Sequence, residues 1–175
     1  SNLMSHVVLH ASISDHQSGK HFTAQRRTGG NSSINTKNQF KFKQGNWLMQ
    51  GGDGQDKLIV TTPEFDFDLN LNSTQAPILY DEDGIISLDI AGSSYYYSRT
   101  RMAINGTIKL NGKTEKVTGR SWFDHQWGDF SLGMLSWDWF SLMLDNGMDL
   151  MIYQLRDKTS TPILYFGSIT QHDKT

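Results

Sequence analysis

Two carboxylates, one histidine and four of the five tryptophans crowd into three stretches in the second half of the chain. These are Tyr95-Tyr96-Tyr97-Ser98-Arg99-Thr100-Arg101-Met102, then Ser121-Trp122-Phe123-Asp124-His125-Gln126-Trp127-Gly128, then Trp137-Asp138-Trp139-Phe140. Asp124, His125 and Asp138 can carry or release a proton. A carboxylate placed among indoles must find a partner or change its pKa, because burying the charge alone is costly. Residue types in this mixture point to acid–base or electrostatic chemistry in aromatic surroundings.

The spacing suggests which carboxylate does what. Asn111-Gly112 is a strong two-residue hairpin signal, so the strand ending at Leu110 is expected to fold back on the one beginning near Lys113. A two-residue loop sets Arg99 opposite Asp124 and Arg101 opposite Trp122, and a four-residue loop sets Arg101 opposite Asp124. Either way a guanidinium shares a face with Asp124 and holds it ionised, as a structural ion pair of Arg99 or Arg101 or as a base or electrostatic stabiliser. A bulge would void that pairing. Asp138 alternates with Phe140, Leu142 and Leu144. If that face meets an apolar cavity, desolvation raises its pKa and makes it the candidate acid; otherwise it reaches a backbone amide or an arginine. His125 shares a face with Phe123 and Trp127, either as a hydrogen-bonded structural residue or as part of the site. The three tyrosines divide between two faces, so at least one phenol points inward.

The elements that must position these groups are strands. Period-two alternation dominates and no window carries a helical stripe. From Glu64 to Asn72, Phe65, Phe67, Leu69 and Leu71 fall on one face and Asp66, Asp68, Asn70 and Asn72 on the other. Further strands are expected at His6–Ser14, Phe22–Arg26, Trp47–Gln50, Leu58–Thr62, Ile85–Ile90, Tyr96–Leu110, Lys116–Trp127, Trp137–Leu144, Leu150–Arg156 and Leu164–Thr170, separated by Asp- and Gly-rich turns. Many strands on short turns imply antiparallel sheets curled into barrels or a sandwich. Asp81 to Ser94 holds the best boundary, giving domains at 1–90 and 91–175.

Composition narrows the partners. The 175 residues carry a formal net charge of −2, so a broad field for nucleic acid or anionic membrane is absent. There is no cysteine, which excludes thiol chemistry and thiolate metal sites. No apolar run reaches the length of a helical membrane span, and the first residues lack signal-peptide features. His6 and His10 share a strand face but lie on the order of 13 Å apart at strand rise, too far to chelate one ion, so no metal is expected. No Gly-x-Ser-x-Gly elbow supports a serine hydrolase.

The run Tyr95-Tyr96-Tyr97-Ser98, then Thr100-Arg101-Met102, Gly106, Val117-Thr118-Gly119, Trp122-Phe123-Asp124-His125-Gln126-Trp127 and Trp137-Asp138-Trp139-Phe140, resembles the lipocalin-like AttH family, which includes carotenoid 1,2-hydratases (hydroxyneurosporene synthases) and predicted secreted hydrolases. The likeness extends through Asp145-Asn146-Gly147 and Leu150 to Arg156, and upstream to Met4-Ser5-His6, Gln25-Arg26 and Pro77-Ile78-Leu79. It implies an all-β chain of two consecutive lipocalin-like (calycin-type) antiparallel β-barrel domains, at least one incomplete here, since the chain starts inside the first pattern and stops before the last strands of the second. It also implies an apolar ligand of isoprenoid or lipid type, with cofactor-free hydration or cyclisation of a double bond. Asp138, Asp124 and His125 are the catalytic candidates, and Trp122, Trp127, Trp137, Trp139, Tyr96 and Tyr97 the ligand contacts, since aromatic faces attract a carbocation. A lipid carrier without catalysis is the rival reading. A periplasmic or secreted location, and self-association through open sheet edges, are further expectations of the resemblance.

Overall fold

Alternation becomes strand over most of the described residues, although the strand expected at Ile85–Ile90 runs only over Ile85–Ser87 before the described residues break off at 88. The computed structural model describes residues 6–29, 33–35, 39–88, 92–130 and 135–171, and every regular element among them is a strand. Two compact units form. The first comprises residues 1–74 and 102–121, the second residues 75–101 and 122–175, so the units interleave along the chain. Residues 89–91, where the sequence reading puts its boundary, lie outside the described residues.

The first unit holds β1 (His6–Asp15), β2 (Lys20–Gly29), β3 (Ser33–Asn35), β4 (Phe40–Gln44), β5 (Trp47–Gly52), β6 (Gln55–Thr61) and β7 (Phe65–Asn72). It also takes the last part of β10 (Gly92–Leu110) and the first part of β11 (Lys113–Phe130). β1 and β2 pair as a separate hairpin, and the others follow the order β11-β10-β7-β6-β5-β4-β3. On β7 the apolar set turns inward, leaving Phe65 1% and Leu71 8% exposed. Together with Trp47 and Val60, Phe65 packs under Leu9, Ile13 and Phe22 of the β1–β2 hairpin. The turns have the backbone their residues favour: Asp53-Gly54 and Asn111-Gly112 all take positive φ, as the first type of mirror-image hairpin turn requires.

The second unit holds β8 (Ile78–Leu79), β9 (Ile85–Ser87), the first part of β10, the last part of β11, and a three-stranded sheet in the order β12-β13-β14. Those strands are β12 (Ser136–Met143), β13 (Met148–Arg156) and β14 (Pro162–Gln171). Its core joins Tyr80, Ile86, Leu88, Tyr96, Met151, Tyr153 and Leu155. Leu88, Met151 and Leu155 are wholly enclosed, and each stabilises the unit by roughly 2 kcal/mol. Where the resemblance implies barrels, the structure has open antiparallel sheets: no strand order among the described residues closes on itself. Closure needs the last strand to hydrogen-bond to the first, and the described strand orders end at β3 and β11 and at β12 and β14.

Candidate active site

Asp124 stands on β11 with Trp122 two residues before it, so both side chains leave the same face of the strand. The Trp122 indole uses that proximity directly, donating from Nε1 to Asp124 Oδ1 at 2.8 Å. Ser98, on the neighbouring strand β10, donates its hydroxyl to the same oxygen. With its hydrogen directed at Asp124, Ser98 Oγ accepts from the Tyr80 hydroxyl at 2.6 Å. Tyr96 completes the group. Its phenol accepts from Trp139 Nε1 at 3.0 Å and also interacts with Asp124. Tyr80 and Tyr96 rings pack 4.4 Å apart, and Trp122 meets Trp139 edge to face at 6.4 Å.

Every donor to this carboxylate among the described residues is neutral. Burial therefore dominates and pushes the Asp124 carboxyl above the ordinary aspartate range, while the bonds from Ser98, Trp122 and Tyr96 pull the other way. Burial and the nearby Asp124 also push the Tyr96 phenol up, so Tyr96 stays a neutral hydrogen-bonding group. Ser98 and Trp122 converge on Oδ1, and Tyr96 adds a third bond to the carboxyl. Such a carboxyl can donate a proton.

This arrangement reverses the roles expected of the two aspartates. The expected pairing of Arg99 or Arg101 with Asp124 does not form. The Arg101 guanidinium instead lies 2.8 Å from Asp149 Oδ1, a carboxylate only 1% exposed, and donates to the carbonyls of Leu144 at 2.7 Å and Met148 at 3.2 Å. It thereby ties down the β12–β13 turn. Arg99 donates to the Gln75 carbonyl at 3.3 Å. The cause is a change of register. Ser98 with Asp124, Tyr97 with His125 and Tyr95 with Trp127 are all in contact, and the numbers in each pair sum to 222. Both expected loops give odd sums, so an odd number of extra residues separates the turn from the site. Arg101 marks the place: its φ of 52° is a left-handed backbone within an otherwise extended strand.

Asp138 is the paired aspartate. Arg156 grips it with both terminal nitrogens, Nη2 reaching Oδ1 at 3.1 Å and Nη1 reaching Oδ2. Its side chain is 41% exposed, and its face-mates Phe140 and Leu142 are exposed too. Of the two surroundings expected for Asp138, the structure shows the arginine and not the apolar cavity, in a partly exposed ion pair.

The aromatic candidates separate into two groups. Trp122, Trp139 and Tyr96 surround Asp124. Tyr97, Phe123, His125 and Trp127 alternate onto the opposite face, where Tyr95 stacks on Trp127 with centroids 5.3 Å apart. The His125 ring meets Tyr97 and Trp127 at 5.5 and 4.5 Å, and burial holds its imidazole below the ordinary histidine range. Trp137 is half exposed. Of the three tyrosines, Tyr96 is the buried one. Tyr80 and Ser98 went unmarked as site residues in the sequence. Ser98 shares the parity of Tyr96, a signal that was legible; Tyr80 reaches the site only through tertiary pairing. Among the described residues no cluster of three or more His, Asp or Glu side chains has the geometry of a metal site.

Comparison with known proteins gives this chain a family. The profile of the family described as AttH-like matches residues 3–175. A crystal structure provisionally assigned as an AttH from Nitrosomonas europaea superposes with a TM-score of 0.74 at 24% identity, covering 94% of this chain and 53% of its own. The kievitone hydratase of Nectria haematococca superposes with a TM-score of 0.77 at 16% identity, covering 95% of this chain and 52% of its own. The chain thus spans about half the length of both. No curated protein sequence matches it.

Proposed function

The chain belongs to the AttH-like family, and we propose that it binds an apolar ligand of isoprenoid or lipid type and hydrates a carbon–carbon double bond in it, with Asp124 as the acid. One observation carries the reading: a half-buried carboxyl whose described donors are a hydroxyl, an indole and a phenol, and which burial biases toward its protonated form. A general acid works best when its pKa lies near the operating pH. The kievitone hydratase that shares the fold supplies a precedent for the reaction class; a carotenoid substrate is the narrower form of the proposal.

The chemistry balances with water alone. The Asp124 carboxyl gives its proton to the less substituted alkene carbon, and the π pair becomes the new C–H bond. Positive charge develops on the other carbon, where the faces of Trp122, Trp139 and Tyr96 favour it, by about 0.5 to 2 kcal/mol per well-placed ring. The negative charge left on Asp124 is received by the hydrogen bonds already aimed at Oδ1, so little reorganisation is needed. A water lone pair then forms the C–O bond. The resulting oxonium returns a proton to Asp124, and an alcohol leaves.

The test is turnover of isoprenoid alkenes in heavy-oxygen water. Expected are label in the product, loss of turnover with retained ligand affinity in Asp124→Asn, and unchanged turnover in Asp138→Asn. Retention of ligand without any incorporated label would move the reading to a lipid carrier. Full activity in Asp124→Asn would remove that residue from the mechanism.

A further inference from the structure

The first unit carries a second constellation on the face of its sheet turned away from the β1–β2 hairpin. Lys41, Gln50, Lys57, Asn70 and Asn105 form one cross-strand row, each directly opposite the next on β4, β5, β6, β7 and β10. Directly paired residues share a face of the sheet. One row along, Gln55 faces Asn72 on one side and Gly52 on the other, and the glycine adds no side chain. These residues line an open cavity of about 770 Å³, within the roughly 300 to 1,000 Å³ of small-molecule sites.

The row is already organised. Asn70 Nδ2 donates to Asn105 Oδ1 at 3.1 Å, Lys57 Nζ donates to Asn70 Oδ1 at 3.2 Å, and Lys57 is ion-paired with Asp68 on the same face. That chemistry selects among ligands. An anion wants donors and a net positive field, yet the two lysines of the lining, Lys41 and Lys57, are set against two carboxylates, Asp56 in the lining and Asp68 paired with Lys57, and the other polar side chains are amides. An apolar ligand would strip water from those amides without replacing its hydrogen bonds, which costs free energy. A hydroxyl group is donor and acceptor at once, as an amide side chain is. Amides stand on adjacent strands at Asn70 and Asn105 and at Gln55 and Asn72, about 4.8 Å apart, and the Lys57 ammonium adds donors between Gln50 and Asn70, so a ligand crossing the strands meets a polar partner at each step. We propose that this face binds a neutral polyhydroxylated ligand, an oligosaccharide, lying across β5, β6, β7 and β10. The site is independent of Asp124 and of the hydration proposal.

Titration of the isotope-labelled 175-residue chain with cellohexaose, maltohexaose and chitohexaose, followed by the side-chain amide signals of Asn70 and Asn105, tests it. At least one glycan should shift both signals saturably, with affinity unaffected by a large increase in salt. Asn70→Ala and Gln50→Ala should each weaken binding by about tenfold, the effect of removing a hydrogen-bonding partner from a ligand. Should either variant fail to fold, the shifts in the parent chain still decide. The proposal is overturned if none of the three glycans moves the Asn70 and Asn105 signals, if both folded variants bind as tightly as the parent, or if inorganic phosphate displaces the glycan in a salt-sensitive way.

Discussion

Replacing Asp124 by asparagine separates a neutral acid from an ion-paired carboxylate. Asparagine keeps Oδ1, the atom that accepts from Trp122 Nε1 at 2.8 Å and from Ser98 Oγ, so both bonds, worth roughly 1 kcal/mol each, survive. In acid, where the aspartate is protonated, the two proteins should have stabilities within about 1 kcal/mol. At higher pH they diverge. Burial raises the folded-state pKa of Asp124 above its unfolded value, so the stability this group contributes is complete below the unfolded pKa and is lost as pH rises through the folded one. Asparagine has no such loss, and at neutral pH Asp124→Asn should be at least as stable as the parent, with a gap that widens as pH rises. Asp124→Ala provides the contrast. It strands three donors, of Ser98, Trp122 and Tyr96, at roughly 1 to 3 kcal/mol each, and at about 2 to 4 °C per kcal/mol for a chain of this size the melting temperature should fall by about 6 to 36 °C. Urea unfolding followed by tryptophan fluorescence across a pH series measures all three proteins. An asparagine variant several kcal/mol weaker at neutral pH, with the deficit vanishing in acid, would be the signature of a carboxylate held by a cation and would refute the neutral-acid assignment.

Arg101→Met should cost roughly 3 to 5 kcal/mol in denaturant unfolding, because it leaves the enclosed Asp149 charge without its guanidinium; a loss under about 1 kcal/mol would show the pair to be dispensable. Asp138→Asn, at a water-facing pair, should change stability by no more than about 1 kcal/mol, and by less still in high salt. For His125, burial lowers the folded-state pKa, so the stability given by its neutral ring is present above the unfolded value and is lost as pH falls through it. A ring-nitrogen titration by NMR should find a midpoint below the ordinary 6.5, and a midpoint above that value would contradict its burial among aromatic rings.

Much of this architecture is written locally. The alternation of Phe65, Phe67, Leu69 and Leu71 against Asp66, Asp68, Asn70 and Asn72 determines both the strand and its buried face, because side chains of a strand point to opposite sides whatever lies beyond. Asn111-Gly112 determines the hairpin for an equally local reason, as both residues tolerate the positive φ that the turn requires. The crowding of Trp122, Asp124, Trp137, Asp138 and Trp139 marks the region of the candidate site, and alternation alone joins Trp122 to Asp124. Partnership across strands was another matter. A single left-handed residue, Arg101, changes the parity of pairing beyond it, and a one-residue slip presents the opposite face of the partner strand. So Ser98 meets Asp124 where an arginine was expected. The released guanidinium finds Asp149 on β13, and Asp138 finds Arg156 across the β12–β13 hairpin. Tyr80 closes the hydrogen-bonded chain from a turn that no local pattern connects to it. Which residues are strand, and which side chains share a face, follow from short-range sterics; which aspartate burial biases toward its neutral form depends on register and packing, and these exist only once the sheets have formed.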